Sequence, residues 1–119
     1  MVVVNPVIEE RARAALRVLG RRAHVRAAFL FGSHVRGDAD EWSDIDIAAF
    51  IDEADEWDLR QRIAVCIEPQ REVGSDIELH LFRARDLDNP PRASFTQYIL
   101  RHGVRLAIDS EASTDEQAA

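Results

Sequence analysis

Apolar positions along this chain switch between helical and strand periods, and the switches outline its elements. Ile8, Ala12, Ala15, Leu16 and Leu19 recur at helical spacing behind Asn5-Pro6, an N-cap followed by proline at the first helical position. Gly20 is placed to end that helix. Val25 to Phe31 reads as a buried strand that stops at Gly32-Ser33, where a helical turn is expected. A polar connection from Asp38 to Ser43, carrying Trp42, leads into a second strand from Asp44 to Ile51.

Helical spacing returns from about Glu56 to Glu68, with Leu59, Ile63, Cys66 and Ile67 on one face. Cys66 on that apolar face reads as core, and Pro69 is expected to end the helix. From Asp76 to Phe82 the pattern alternates strictly. Ile77, Leu79 and Leu81 face one way, and Asp76, Glu78 and His80 face the other. Such a strand packs one face and leaves the other available for chemistry. After the break at Asn89-Pro90-Pro91, Phe95, Tyr98 and Ile99 form a third helical stripe, expected in the core and closed by His102-Gly103. Val104 to Ile108 reads as a short final strand or an extended arm. The order is helix, strand, helical turn, strand, helix, strand, helix: an α/β (α+β) arrangement with a small sheet covered by helices. Residues 1–108 are expected to form one domain, and the acidic, small-residue stretch 109–119 a flexible tail.

Composition narrows the classes. A chain of 119 residues with 46% hydrophobic and 31% charged positions is an ordinary globular domain with room for a real core. It has no apolar stretch of about 18 residues, so no membrane span is expected. Met1 to Val4 is too short for a secretory segment, and Cys66 is the single cysteine, so a cytoplasmic location is expected. The net charge of −7 argues against stable nucleic-acid binding, which needs a basic face. All 15 cationic residues are arginine, so phosphate must be met by arginine, backbone amides or metal rather than lysine. The four histidines are scattered, with no cysteine partner or close histidine pair to suggest zinc. His80, on the carboxylate face, is open to two readings: a pocket-lining residue or a solvated edge residue. Trp42 is likewise open, a stacking surface or a loop residue folded onto the domain.

The chemistry concentrates between Gly32-Ser33 and Asp44-Ile45-Asp46, ten residues apart. Asp44 and Asp46 fall on one face of a strand about 6.6 Å apart, where two ionised carboxylates repel unless solvent or a cation separates them. Mg²⁺ suits such a pair, since it leans on one or two carboxylates plus substrate phosphates. Gly32 lets backbone approach a ligand, and Ser33 opens a helical turn whose amides favour phosphate. Arg36 lies in the same turn and can add a charge-assisted contact. A third carboxylate would complete a two-metal site with ions roughly 3.5–4 Å apart. Glu78, mid-strand between Ile77 and Leu79, is the first choice; Asp76, after Gly74-Ser75, is the substitute and also reads as a turn residue.

Together these residues resemble the nucleotidyltransferases of the DNA polymerase β superfamily. Gly32-Ser33-His34-Val35-Arg36-Gly37 with Trp42-Ser43-Asp44-Ile45-Asp46 is similar in particular to the minimal nucleotidyltransferases (MNT). Ile77-Glu78-Leu79 and His102-Gly103-Val104-Arg105-Leu106 match the segments that follow there, so the resemblance spans roughly residues 25–106. Two positions depart from the pattern: His34 stands where arginine is common, and Glu78 where aspartate is common.

The resemblance implies a small mixed sheet covered by helices and transfer of a nucleoside monophosphate, AMP from ATP, to a hydroxyl. It implies Asp44, Asp46 and Glu78 as catalytic and metal-binding residues, with two Mg²⁺ ions. Gly32, Ser33, Arg36 and Ser43 would hold the nucleotide. An acidic module of this size also resembles the antitoxins of HEPN/MNT toxin–antitoxin pairs. That implies a HEPN ribonuclease toxin as partner and a hydroxyl on it as acceptor. Two other readings stand beside it: a nonenzymatic module acting by occlusion, and the catalytic subunit of a small-molecule (antibiotic-type) nucleotidyltransferase.

Overall fold

The structure is a computed structural model and describes residues 3–108, so the expected tail at 109–119 lies outside the described residues. Its elements are α1 (Pro6–Leu19), β1 (Val25–Phe31), α2 (Ser33–Arg36), β2 (Ile45–Ile51), α3 (Leu59–Glu72), β3 (Ile77–Arg83), α4 (Phe95–His102) and β4 (Val104–Arg105). Single 3₁₀ turns follow β2 and β3. Local chemistry starts the long helices. The Asn5 side chain accepts from Val7 N–H at 2.8 Å with Pro6 behind it, and Asp58 and Gln61 form a reciprocal capping box at α3. The Ser94 hydroxyl accepts from Gln97 N–H at the start of α4.

The strands form one mixed sheet in the order β3-β2-β1-β4. β2 runs antiparallel to β1 and parallel to β3, and β4 pairs antiparallel with the other side of β1. A parallel pair needs a crossover, and α3 supplies it. Both faces of the sheet are covered, which is why β1 and β2 are nearly continuous apolar runs. Leu30, Ile45, Ile47, Ile77 and Leu79 pack under α1 and alongside α3. Phe29, Phe31, Ala48 and Phe50 pack on the opposite face against Ile99 of α4. Among the described residues no helix is long and apolar enough to cross a membrane.

Three expectations about the helices are corrected. Pro69 does not end α3; it is buried inside the helix, which continues to Glu72. Proline there removes only one N–H, near the helix end, and burial of its ring compensates. The predicted apolar face of α3 is turned as well, since Leu59 and Ile63 are exposed while Val65 and Pro69 are buried. The cause lies in the position of α3 beside the sheet's edge strand. Ile63, Cys66 and Ile67 overhang that edge and line an open groove with Leu79 and Leu81. On α4, Phe95 and Tyr98 are exposed and only Ile99 is fully buried, because an eight-residue helix lying over one sheet face buries a narrow stripe.

The free edge of β3 is covered by side chains. Gln70 Nε2 donates to the Ile77 carbonyl at 2.9 Å, Cys66 Sγ to Leu79 at 3.6 Å and Arg62 Nη2 to Leu81 at 3.4 Å. These donors lie one helical turn apart and meet alternate carbonyls, so an edge that would invite strand pairing is closed.

Candidate active site

Gly32 ends β1 with φ 83° and ψ −153°, a backbone conformation that favours glycine. A Cβ at this position would also strike the carboxylate of Asp46. The glycine is therefore required twice, once by its dihedrals and once by the neighbouring strand. α2 begins directly after it, with Val35 and Arg36 N–H both 3.0 Å from the Gly32 carbonyl. Gly37, with φ 92°, terminates α2.

The register of the sheet sets the carboxylates. Asp46 lies opposite Phe31 on β1 and opposite Glu78 on β3, so Asp46 and Glu78 share the face that carries α4. Asp44 precedes β2 and is exposed. Glu78 holds its proton more tightly than an ordinary glutamate, first through burial and next through the Asp46 charge. A hydrogen bond with Asp44 acts in the same direction, while the nearby His80 opposes it. Asp44, Asp46 and Glu78 thus crowd one small region.

His80 joins them. Its Nε2 lies 3.5 Å from Asp46 Oδ1 and 3.9 Å from Glu78 Oε2. That atom is buried and has no hydrogen-bond partner among the described residues. The ring is held edge-on against Phe31, with centroids 5.1 Å apart. One ligand atom each from Asp46, Glu78 and His80 fall within 4.8 Å of one another. Alternation along β3 had put His80 on the carboxylate face. The closeness of its nitrogen to Asp46 depends on the β2–β3 pairing, which no local signal reveals.

Asp76 is engaged elsewhere. Arg11 of α1 grips it with two hydrogen bonds of 2.6 and 2.7 Å. This guanidinium holds the Asp76 carboxyl below the usual carboxylate range. Gly74 leaves the space through which Arg11 reaches it. Of the two acids left open by the sequence, Glu78 stands beside Asp46 and Asp76 ties α1 to the start of β3.

The remaining predicted residues divide. Ser33 opens α2 beside the carboxylates' glycine, half-buried. Arg36 is exposed in the same turn and lies 3.5 Å from Asp38. The Ser43 hydroxyl is turned into its own loop, accepting from Asp40 N–H at 2.9 Å and facing the Asp40 carboxylate at 3.2 Å. Trp42 stands almost fully exposed on the same loop.

A four-stranded mixed sheet with acidic residues on adjacent strands, beside a glycine turn into a short helix, makes this an α/β domain whose acids gather at one place. The chain belongs to the polymerase β nucleotidyltransferase family, whose model, described as "Polymerase beta, Nucleotidyltransferase", matches residues 15–112. Its activity class is accordingly nucleotidyl transfer. No curated protein matches the chain. Nucleotidyltransferases of this family typically use a divalent metal ion with their nucleotide, and the residues present fit one. Two carboxylates and an imidazole nitrogen converge, and among the described residues the buried nitrogen has no hydrogen-bond partner.

Proposed function

We propose that this chain is a Mg²⁺-dependent nucleotidyltransferase that moves AMP from ATP to a hydroxyl on a partner protein. In this reading it is the antitoxin that neutralises a HEPN ribonuclease toxin. The observation that carries the catalytic part is the alignment of Asp46 with Glu78 across parallel strands, with Gly32 packed against Asp46. The resemblance of Gly32 to Gly37 and Trp42 to Asp46 to the minimal nucleotidyltransferases supports the partner.

Asp44 and Asp46 would hold the ion that accompanies the triphosphate, and Glu78 with Asp46 the second. Bound there, the ions supply charge neutralisation for the triphosphate and the developing pyrophosphate. Ser33 and the amides at the start of α2 donate to the outer phosphates, with Arg36 adding charge from the same turn. The acceptor oxygen bonds to the α-phosphorus as the bond to pyrophosphate breaks. Its proton passes to the Glu78 carboxylate oxygen that the ion leaves free. Phe31 and the His80 ring wall off water on one side.

ATP labelled at the α-phosphate, incubated with Mg²⁺ and the toxin, tests the reading. Label on the toxin that disappears with Asp44→Asn/Asp46→Asn is the expected result. Neutralisation retained by the double variant without labelling would mean occlusion. Label appearing only on a small hydroxylated compound would mean a small-molecule transferase.

A further inference from the structure

The imidazole of His80 stands beside the carboxylates, yet the proposed mechanism uses it only as a wall. Its Nε2 is buried, lacks a hydrogen-bond partner among the described residues and lies near both Asp46 and Glu78. Burying a polar atom without a partner is unfavourable, so an orphan in this position calls for a ligand. The ring cannot swing away easily, since Phe31 and Phe95 flank it with centroids 5.1 and 6.4 Å from its own. Separations of 3.5 and 3.9 Å from the two carboxylate oxygens suit donors that share a cation after a small contraction.

Donor type then decides which cation. Mg²⁺ favours oxygen ligands and keeps much of its water, whereas imidazole nitrogen suits transition ions. We propose that His80 Nε2 is a ligand of the ion held by Asp46 and Glu78, and that this second site prefers a first-row transition ion to Mg²⁺, with Mn²⁺, the weakest binder of that row, as the paramagnetic probe. The inference rests on the metal-dependent reading above. The ion at Asp44 and Asp46, surrounded by oxygen donors and phosphate, remains a Mg²⁺ site. The chain would thus carry a mixed pair, one ion arriving with the nucleotide and one selected by the protein.

The test uses the full-length protein, freed of metal and without nucleotide. Mn²⁺ affinity is read from the electron paramagnetic resonance signal of the free ion, and Mg²⁺ affinity by competition. His80→Phe keeps an aromatic ring between Phe31 and Phe95 but has no nitrogen, and His80→Asn gives a polar control. The expected result is a loss of Mn²⁺ affinity of at least about tenfold in both variants, the scale on which even outer-shell partners act. Mg²⁺ affinity should change less than about twofold, because oxygen donors carry it. Pulsed resonance on bound Mn²⁺ should show coupling to a directly bound nitrogen in the wild type and none in His80→Phe. Unchanged Mn²⁺ affinity, equal losses for both ions, or no nitrogen coupling in the wild type would each overturn the proposal. Asp46→Asn separates the two levels. If it abolishes Mn²⁺ binding while His80→Phe does not, the carboxylate site stands and the histidine ligand falls. If Asp46→Asn also binds Mn²⁺ like the wild type, the carboxylate reading falls with it.

Discussion

Gly32 and Asp46 lie so close across β1 and β2 that no side chain fits between them. The two halves of the sequence signature, the Gly-Ser turn and the paired aspartates, therefore meet in one contact. Gly32→Ala would push the Asp46 carboxylate aside and force a positive φ on alanine, costing about 1–3 kcal/mol in stability. Gly37 supplies the control, since it also has positive φ but open space where a Cβ would sit. Gly37→Ala should lose about 1 kcal/mol through strain alone and keep metal affinity, whereas Gly32→Ala loses both. Urea unfolding and metal titration of the two variants separate these outcomes; equal metal affinity in both would remove Gly32 from the site.

Glu78 should be a destabilising residue in the metal-free protein. Its carboxyl is shifted upward by burial and by the Asp46 charge, so the folded state binds this proton more tightly than the unfolded one. The penalty is absent below the unfolded value of about 4.3, and it is complete once pH has passed the raised folded value. Glu78→Gln is accordingly expected to melt above the wild type at pH 7, with the gap closing on acidification. A divalent ion should reverse the order by stabilising the wild type more than the variant. Thermal melts across pH, with and without metal, check both signs.

Asp76 predicts the opposite sign. Its carboxyl is shifted downward, chiefly by the Arg11 hydrogen bonds, so its contribution is complete above the unfolded value of about 3.9 and fades as pH falls through the lower folded value. Arg11→Ala should cost on the order of 0.5–1 kcal/mol at pH 7, a modest figure because both side chains are about a third exposed. The difference from the wild type should narrow only in strong acid. Metal affinity should be unchanged, and a loss comparable to that of Asp46→Asn would return Asp76 to the site.

The donors that cover β3 make a prediction about association. Gln70→Ala leaves the Ile77 carbonyl without its partner and should cost about 0.5–1.5 kcal/mol. Arg62→Ala/Gln70→Ala also uncovers Leu81, opening two positions of an edge strand beside the exposed Ile63. Concentration-dependent light scattering should rise for the double variant. Scattering identical to the wild type would mean that some other feature protects this edge.

Much of this protein was determined locally and so could be read from the chain. The caps at Asn5, the run from Val25 to Phe31 and the alternation from Ile77 to Phe82 depend on dihedrals and side-chain periods within a few residues. The glycine at position 32 and the aspartates at 44 and 46 announced their chemistry for the same reason. Tertiary structure decided the rest. The pairing of Asp46 with Glu78 and the position of the His80 nitrogen required the parallel register that the α3 crossover creates. Asp76 was assigned to Arg11, a residue 65 positions away, by the docking of α1 against the start of β3. Pro69 and the turned face of α3 followed from the place of that helix over the sheet edge. Local periodicity specifies which face of a strand carries an acid, but only the packing of distant segments decides what that acid meets.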